Sequence, residues 1–221
     1  MRSLDFPRLA NVYMLGSVDE SEIPLLARYD LLVLGQVWTN EQLAQLRALN
    51  PDIKLFMVVN PYSVKLNPFS LNQFKVDLYE YASKNDLWWY NTRSKPASDW
   101  PKTWMVNPTD AAPAGSEGSW RRWLVRRIVA QLQTHPEWDG IFLDNFWERI
   151  SWAQPWLQLD SDCNPTHHPE GCDGTADSRA ELDAAWSAAM WDVAKRLNRE
   201  LRRLRRRTPS SAPRLPTTSA S

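Results

Sequence analysis

Residues 139–145 read DGIFLDN, and this run decides the fold class. The chain leaves a turn at Gly140, continues through apolar residues, and stops at a carboxylate, Asp144, followed by the amide of Asn145. Buried parallel strands are nearly continuous apolar runs, and in α/β barrels the chemistry lies where such strands end. Asp144 is therefore the first candidate for a catalytic group. The alternative, that Asp144 and Asn145 only cap the next segment, stays open because Asx residues often do so.

The composition limits the classes of protein and ligand. A chain of 221 residues is long enough for one domain with a sizeable core. Its 26 basic and 26 acidic residues balance, so no overall field attracts nucleic acid or an anionic membrane. Some of its 13 Trp residues must pack in the core, but the excess suits a groove that stacks on sugar rings or bases. No apolar run approaches the length of about 20 residues that spans a bilayer, and residues 1–10 lack the apolar centre of a signal peptide. We therefore expect a soluble chain without an export signal.

Strands and helices alternate along the chain. The predicted strands are residues 11–15, 29–34, 54–60, 104–106 and 140–143, and the predicted helices are residues 21–28, 39–49, 71–83, 119–133 and 178–206. This alternation predicts an α/β fold whose parallel sheet curls toward a TIM-barrel-like (β/α) barrel. The chain has about five strand-helix units, whereas an eight-fold barrel typically needs about 250 residues, so the barrel should be incomplete.

The end of the chain differs in composition from the rest. Residues 208–221, TPSSAPRLPTTSAS, contain three prolines and no run long enough to pair in a sheet. We divide the chain into a partial TIM-barrel-like domain, residues 1–207, and a disordered or foreign tail, residues 208–221. A truncated fragment, a frame-shifted tail and a dimer that covers an open sheet edge each fit this pattern. Truncation is favoured because an uncovered parallel edge promotes aggregation, and such an edge also predicts self-association.

Several segments together are similar to a known family. They are YDLLVL (29–34), LRALNPDIKLFMVVNP (46–61), DGIFLDNFWERISW (139–152), DGTADS (173–178) and ELDAAW (181–186). In order and spacing they resemble the glycoside hydrolases called hypothetical glycosyl hydrolase family fifteen, over roughly residues 11–203. The resemblance implies a TIM-barrel hydrolase of a polysaccharide or oligosaccharide. In similar enzymes an Asp at the end of a mid-barrel strand is the nucleophile, which corresponds by position to Asp144. Their acid/base comes from a later strand, for which this chain has no matching segment.

Glycoside cleavage generally needs a second carboxyl group. The two groups lie about 5 Å apart in retaining enzymes and about 6.5–9.5 Å apart in inverting ones. The candidate partners of Asp144 within this chain are Glu148 and Asp110. Glu148 is more readily explained as one half of a surface salt bridge with Arg149, and Asp110 as the start of a turn. The sequence therefore leaves the second catalytic carboxylate unidentified.

Amide and aromatic side chains follow the predicted strands at the edge where Asp144 lies. Amides hydrogen-bond sugar hydroxyls and indoles cover the apolar faces of pyranose rings, so this pairing suits a carbohydrate groove, although each residue alone fits loop packing equally well. The candidate substrate-binding residues are Gln36, Trp38, Asn60, Tyr62, Asn107, Asn145 and Trp147.

The loop of residues 160–177, DSDCNPTHHPEGCDGTAD, is rich in carboxylates. Four of them are hard oxygen donors around Gly174, a pattern typical of an interrupted calcium loop or of a solvated acidic loop. The candidate calcium ligands are Asp160, Asp162, Asp173 and Asp177. No cofactor is required for the predicted function, and calcium would be structural.

The only two cysteines, Cys163 and Cys172, lie within this loop. A disulfide between them fits an oxidising compartment. A zinc site that adds His167 and His168, or a pair of free thiols, remains an alternative. The disulfide is favoured because the spacing matches no standard zinc finger.

Two functions from different classes remain after these observations. The first is a glycoside hydrolase acting through Asp144. The second is a non-catalytic carbohydrate-binding protein that uses the same edge of the sheet, the carboxyl ends of the strands and the loops that follow them, which we call the rim. Arginines crowd the end of the last predicted helix, where they complement the helix dipole, and no nucleic-acid recognition motif accompanies them. The partner is therefore predicted to be a carbohydrate and not nucleic acid. The family and the cysteine pair together imply an extracellular or periplasmic location.

Overall fold

Short runs of apolar residues form the strands of this protein. The structure, a computed structural model, describes residues 8–14, 19–70 and 72–207, and the predicted tail at residues 208–221 lies outside them. The strands are β1 (Ala10–Tyr13), β2 (Leu31–Leu34), β3 (Lys54–Val59), β4 (Ser63–Lys65), β5 (Thr103–Met105) and β6 (Gly140–Leu143).

Four of these strands form one parallel sheet in the order β1-β2-β3-β6. The predicted parallel α/β sheet is thereby confirmed for four strands, and the described residues form an open sheet without a closed barrel. Gly140 opens β6 opposite Phe56, whose ring would lie 2.6 Å from any Cβ at that position. The absence of a side chain at Gly140 therefore permits the close approach of β6 to β3.

The prediction that residues 104–106 form a further strand of this sheet was wrong. The strand observed there, β5, pairs antiparallel with β4 in a separate two-stranded sheet. Its residues alternate between buried and half-buried, which is the pattern of a strand with one covered face and not of a strand inside a parallel sheet.

Helices connect the strands and cover the sheet. They are α1 (Ile23–Leu26), α2 (Asn40–Leu49), α3 (Gln73–Lys84), α4 (Trp120–Thr134), α5 (Gln154–Leu157) and α6 (Arg179–Arg207). The predicted start of α2 is confirmed, because Thr39 caps it in a reciprocal capping box with Gln42. The predicted cap at Ser21 was wrong, because Asp19 accepts a hydrogen bond from the Ser21 backbone and caps that turn instead.

Two clusters of buried side chains form the core. The larger cluster joins β2 and β3 to the apolar faces of α2, α3 and α4. The smaller cluster is built from segments that follow the carboxyl ends of β3 and β6, together with the first half of α6. Its centre is Trp186, whose ring lies 4.9 Å from that of Tyr62 and 6.0 Å from that of Trp89. Phe146 packs against both clusters.

The two outer strands leave apolar side chains exposed. Val12 of β1 is 53% exposed and Phe142 of β6 is 40% exposed. Among the described residues no further strand pairs with the outer edge of either strand.

Candidate functional site

Asp144 lies immediately after β6, at the carboxyl edge of the parallel sheet. Its backbone N–H donates to the carbonyl of Val59 at 2.9 Å, which extends the β3–β6 pairing by one residue. Asn145 then turns the chain with φ at 54°, a left-handed conformation that Asn tolerates better than most residues. The next helical turn begins at Ile150 without a side-chain cap, so Asp144 does not serve as its cap. Asp144 is half-buried and is presented at the edge where α/β enzymes carry their chemistry.

The carboxylate at the opposite end of the same strand has a different environment. Asp139 precedes β6 and accepts hydrogen bonds from Arg47 and from the backbone of Leu55, at 2.8 and 2.9 Å. Lys54 adds a second cation at 3.6 Å. In the described part of the chain no such ion pair reaches Asp144. Asp139 therefore links α2 to β3 and β6, whereas Asp144 has no ion-pair partner among the described residues.

Tyr62, which follows β3, is a residue whose pKa is affected by the charge of Asp144. Burial first, and then the charge and hydrogen bond of Asp99 and the charge of Asp144, raise the pKa of Tyr62 far above its usual range, against a hydrogen bond with Trp147 that lowers it. The phenol is only 1% exposed and stays neutral. Tyr62 is therefore a buried, protonated side chain beneath the rim, and its ring is not accessible for stacking on a sugar.

Asp99 is a rim residue that the sequence analysis missed. One of its oxygens accepts hydrogen bonds from the hydroxyls of Ser63, at 2.8 Å, and Thr103, at 3.4 Å. These bonds tie the loop before β5 to β4 and hold Asp99 beside Tyr62. No spacing in the sequence pointed to Asp99, because it lies in a proline-flanked loop before the predicted strand at residues 104–106 and not at the carboxyl end of a strand.

Two of the residues predicted as substrate contacts have buried side chains. Trp38 is 3% exposed and packs edge-on against Tyr13, so its ring offers no face to a ligand. Asn107 is also 3% exposed. Its amide donates to the carbonyl of Ser161 at 2.7 Å and accepts from the backbone and hydroxyl of Thr109, so its hydrogen bonds are used within the protein.

Two further predicted contacts serve the backbone of the rim. The side-chain amide of Gln36 donates to the carbonyl of Val58 in β3. Asn60 accepts hydrogen bonds from the backbone N–H groups of Tyr62 and Ser63, at 3.1 and 2.8 Å, and shapes the turn that leaves β3. Both side chains position the rim, so the contacts left for a ligand come from the loop after β6.

That loop carries a row of exposed indoles, which we call the tryptophan row. It consists of Trp147, Trp152 and Trp156, which are 48%, 46% and 65% exposed. The ring centroids lie 6.2 Å apart between the first two and 5.9 Å apart between the last two. Trp147 was predicted as a contact, whereas Trp152 and Trp156 were not. Their spacing in WERISWAQPW is the signal that could have identified them.

Asp183 of α6 holds the turn that carries Trp152. Its carboxylate accepts from the backbone N–H groups of Ile150 and Ser151 at 3.0 and 2.8 Å, and from the Ser151 hydroxyl at 2.7 Å. Partial burial raises the pKa of Asp183, but these hydrogen bonds and the charge of Arg149 outweigh it, so the pKa lies below its usual value. The tryptophan row is therefore fastened to α6 by an ionised carboxylate.

This arrangement predicts how stability depends on pH. A carboxyl whose folded pKa lies below the unfolded value, about 3.9, stabilises the protein above that value and loses its effect as the pH falls through the folded pKa. We expect Asp183→Asn to be less stable than the wild type at pH 7, and the difference in unfolding free energy to shrink below about pH 4. Urea unfolding of both proteins at pH 7, 4 and 3, followed by Trp fluorescence, measures this difference in unfolding free energy. A difference that stays constant over this range would contradict the assignment.

In the acidic loop, three of the four predicted calcium ligands converge. One ligand oxygen from each of Asp160, Asp162 and Asp177 lies within 4.8 Å of the others. Asp173 does not belong to this cluster, and its carboxylate accepts from the backbone of Thr175 at 2.6 Å. Burial, followed by the hydrogen bond and charge of Asp162, raises the pKa of Asp160 to about 7.

The two cysteines of this loop, Cys163 and Cys172, form a disulfide. The bond uses both thiols, so they supply no thiolate for zinc, and His168 instead lies 3.5 Å from Glu170. The disulfide closes the loop between Asp162 and Asp173.

Basic residues line two shallow grooves elsewhere on the surface. One groove, of about 370 Å³, runs along the second half of α6, and another, of about 400 Å³, lies between α4 and α6. Neither is lined by Asp144 or by the tryptophan row. Ion pairs such as Arg196 with Asp192 and Arg203 with Glu200 occupy part of this surface.

Comparisons with known proteins agree with this architecture. No curated protein matches the chain. A solved structure, that of the glycoside hydrolase domain of PelA from Pseudomonas aeruginosa, is similar to 88% of this chain with a TM-score of 0.51 and 16% sequence identity. The similarity spans 56% of the PelA chain, so this chain covers little more than half of that structure, and at this identity the match shows the fold alone. Residues 47–204, which include Asp144, the tryptophan row and the acidic loop, match a family of glycosyl hydrolases. The chain therefore belongs to hypothetical glycosyl hydrolase family 15.

Proposed function

We propose that this protein is a glycoside hydrolase of a polysaccharide or oligosaccharide, with Asp144 as its nucleophile or catalytic carboxylate. The observation that carries the proposal is the position of Asp144 at the carboxyl edge of the parallel sheet, without an ion pair among the described residues and three residues before Trp147, the first of the exposed indoles. Membership of a glycosyl hydrolase family supports the reaction class.

The chemistry assigned to Asp144 follows from the general mechanism. Glycosidases use one carboxylate to attack or stabilise the anomeric carbon, or to activate water, while a second carboxyl group protonates the leaving oxygen. Neither sequence candidate fits the second role well: Asp110 is paired with Arg121, and Glu148 is exposed. We therefore propose the activity for a protein in which this chain is part of a longer domain, as its coverage of the PelA chain suggests.

The alternative function is carbohydrate binding without catalysis. The tryptophan row favours it, because exposed indoles bind sugar rings whether or not a second carboxylate is present. Incubating the protein with a panel of polysaccharides, and measuring both retained ligand and newly formed reducing ends, tests the two functions. Binding with release of reducing ends supports the hydrolase, whereas binding without release supports the alternative.

Truncating the tryptophan row should weaken polysaccharide binding. Trp152→Ala and Trp156→Ala each remove an exposed ring that packs against a neighbour in the row, and we expect each to lower affinity at least about tenfold. Affinity gel electrophoresis with the polysaccharide that binds the wild type measures the change. Trp191→Ala is the matched control, since Trp191 is 62% exposed but lies on α6 outside the row. Equal losses in all three variants would count against the row as a binding surface.

The proposed location is extracellular or periplasmic. The disulfide supports it, because such bonds persist in oxidising compartments. Among the described residues no helix combines the length and apolar character needed to cross a membrane. Protein recovered from a periplasmic fraction or culture medium should contain no free thiol; its recovery only from the reducing cytoplasm would argue against this location.

We also propose that the exposed edges of the sheet promote self-association. Val12 and Phe142 are the apolar residues that would be covered. Sedimentation velocity over a range of concentrations should show mass increasing with concentration, and a monomer at all concentrations would exclude it.

A further inference from the structure

We propose that Asp160, Asp162 and Asp177 form a binding site for a divalent cation that prefers oxygen ligands, with Ca²⁺ as the best match. This inference is independent of the proposed hydrolase activity, because its readout is metal binding and not hydrolysis.

The geometry of the three carboxylates fits one coordination sphere. Their ligand oxygens lie within 4.8 Å of one another. Oxygen ligands surround Ca²⁺ at about 2.3–2.6 Å, so two ligands on opposite sides of the ion are about 5 Å apart. Carboxylates can bind in one-oxygen or two-oxygen fashion, and waters complete the sphere of 6–8 oxygens, as calcium requires.

A buried oxygen of Asp160 gives a second and independent indication. Asp160 is only 1% exposed. One carboxylate oxygen, Oδ1, accepts a hydrogen bond from the backbone N–H of Cys163 at 3.2 Å, whereas Oδ2 is buried and receives no hydrogen bond from a backbone group or from a neutral or cationic side chain of the described residues. Its only interaction is with the carboxyl of Asp162, and a hydrogen bond between two carboxyls requires them to share a proton. Burying a carboxylate oxygen without a partner is costly, and proteins rarely leave one in this state. A cation held between Asp160 and its two neighbours would supply the missing partner.

The charges around the cluster leave it without compensation. In the described part of the chain no ion pair involves any of the three carboxylates. The charge of Glu181, which acts on Asp177, is also negative. Since like charges at this separation repel, the cluster favours a cation over an apolar or anionic ligand.

The backbone holds two of the carboxylates in place before any ligand arrives. The backbone N–H of Asp177 donates to the carbonyl of Leu159 at 3.0 Å, and the N–H of Ser161 donates to the Asp177 carboxylate at 2.9 Å. The side-chain amide of Gln154 donates to both the Leu159 and the Asp177 carbonyls, at 2.9 and 2.7 Å. Asp160 and Asp177 are thus fixed side by side at the end of α5.

The third carboxylate is held by the disulfide loop. Asp162 directly precedes Cys163, and its backbone carbonyl lies so close to Gly171 that a Cβ there would be 2.4 Å away. Gly171 therefore lets the two ends of the loop meet behind Asp162. A bound cation would link this loop to the segment that enters α6.

Calcium titration of the chelator-treated protein tests the proposal. We expect isothermal calorimetry to show one Ca²⁺ per chain, and 1 mM CaCl₂ to raise the melting temperature by roughly 5 °C. Asp162→Asn should lower the affinity for Ca²⁺ at least about tenfold, because the exposed amide keeps the shape of the side chain but loses its charge. Asp173→Asn is the matched control from the same loop and should bind Ca²⁺ like the wild type. Wild-type protein that binds no Ca²⁺ at millimolar concentration, or equal binding by both variants, would overturn the proposal.

A second variant keeps the test decisive. Asp160→Asn removes the buried charge, so without metal it should melt at a higher temperature than the wild type, and with 1 mM CaCl₂ the order should reverse. A solvated acidic loop without a site predicts the same order under both conditions. Persistence of one order would therefore exclude the cation site even if the variants fold with different yields.

Discussion

Asp144→Asn is expected to lower the release of reducing ends from the polysaccharide substrate by at least about 100-fold, while leaving substrate affinity within a few fold. The amide keeps the size of the side chain and its place at the end of β6. It cannot attack the anomeric carbon or accept a proton from water, so the transition state loses its stabilisation while binding through the tryptophan row persists. Turnover under saturating substrate and a separate binding measurement distinguish the two effects.

The control for this experiment is Glu148→Gln. Glu148 lies four residues further along the same loop and is exposed, so the change of charge and shape is matched. We expect it to retain most of the wild-type turnover. Wild-type turnover in the Asp144→Asn variant would refute the catalytic assignment, and a comparable loss in Glu148→Gln would transfer the role to Glu148.

Trp186→Ala is expected to destabilise the protein by about 3–5 kcal/mol. Trp186 is fully buried between the rings of Tyr62 and Trp89, and its indole N–H donates to the carbonyl of Trp147 at 2.9 Å. Removal of the ring leaves a cavity and an unpaired carbonyl in the smaller core cluster. Urea unfolding at pH 7 measures the change in unfolding free energy.

Trp191→Ala provides the comparison on the same helix. Trp191 is 62% exposed, so its truncation should change the unfolding free energy by less than about 0.5 kcal/mol. Similar destabilisation by both substitutions would mean that α6 does not bury the face described for Trp186.

The strand that carries Asp144 was predictable because local and tertiary preferences agree there. Residues 140–143 are apolar, they start at a glycine that the neighbouring strand requires, and they end at polar residues. The boundaries of β6 therefore match the prediction residue for residue. The inward residues of α6, such as Trp186, were also predictable, because helical periodicity marks one buried face.

The substrate contacts were harder to predict because the side chains that follow a strand can have two roles. Some face a ligand, whereas others pack against or hydrogen-bond the protein's own loops. Trp38 and Asn107 carry the side-chain types of a carbohydrate groove, yet both are buried and serve packing and loop hydrogen bonds. Periodicity gives the direction of a side chain within a helix or strand but not beyond its end. Trp152 and Trp156 lie in such an irregular segment, so only the structure reveals their shared exposure.

The same limit explains the wrong partner predicted for β5 and the separation of Asp173 from the other carboxylates of the acidic loop. Residues 104–106 form a short apolar run, and the choice between a parallel and an antiparallel partner depended on β4, which no pattern predicted. In the acidic loop, composition gave four equivalent carboxylates, whereas the backbone turns Asp173 toward Thr175 and brings the other three together.

The division of the interior into two clusters predicts that the protein opens in two cooperative units. Trp186 and its neighbours form a nucleus of their own beside the parallel sheet, and Phe146, two residues after Asp144, belongs to the boundary between them. Regions with separate nuclei open at separate free energies. We therefore expect the smaller cluster to open locally while the sheet keeps its order, and Phe146, which packs against both clusters, would carry such motion toward Asp144.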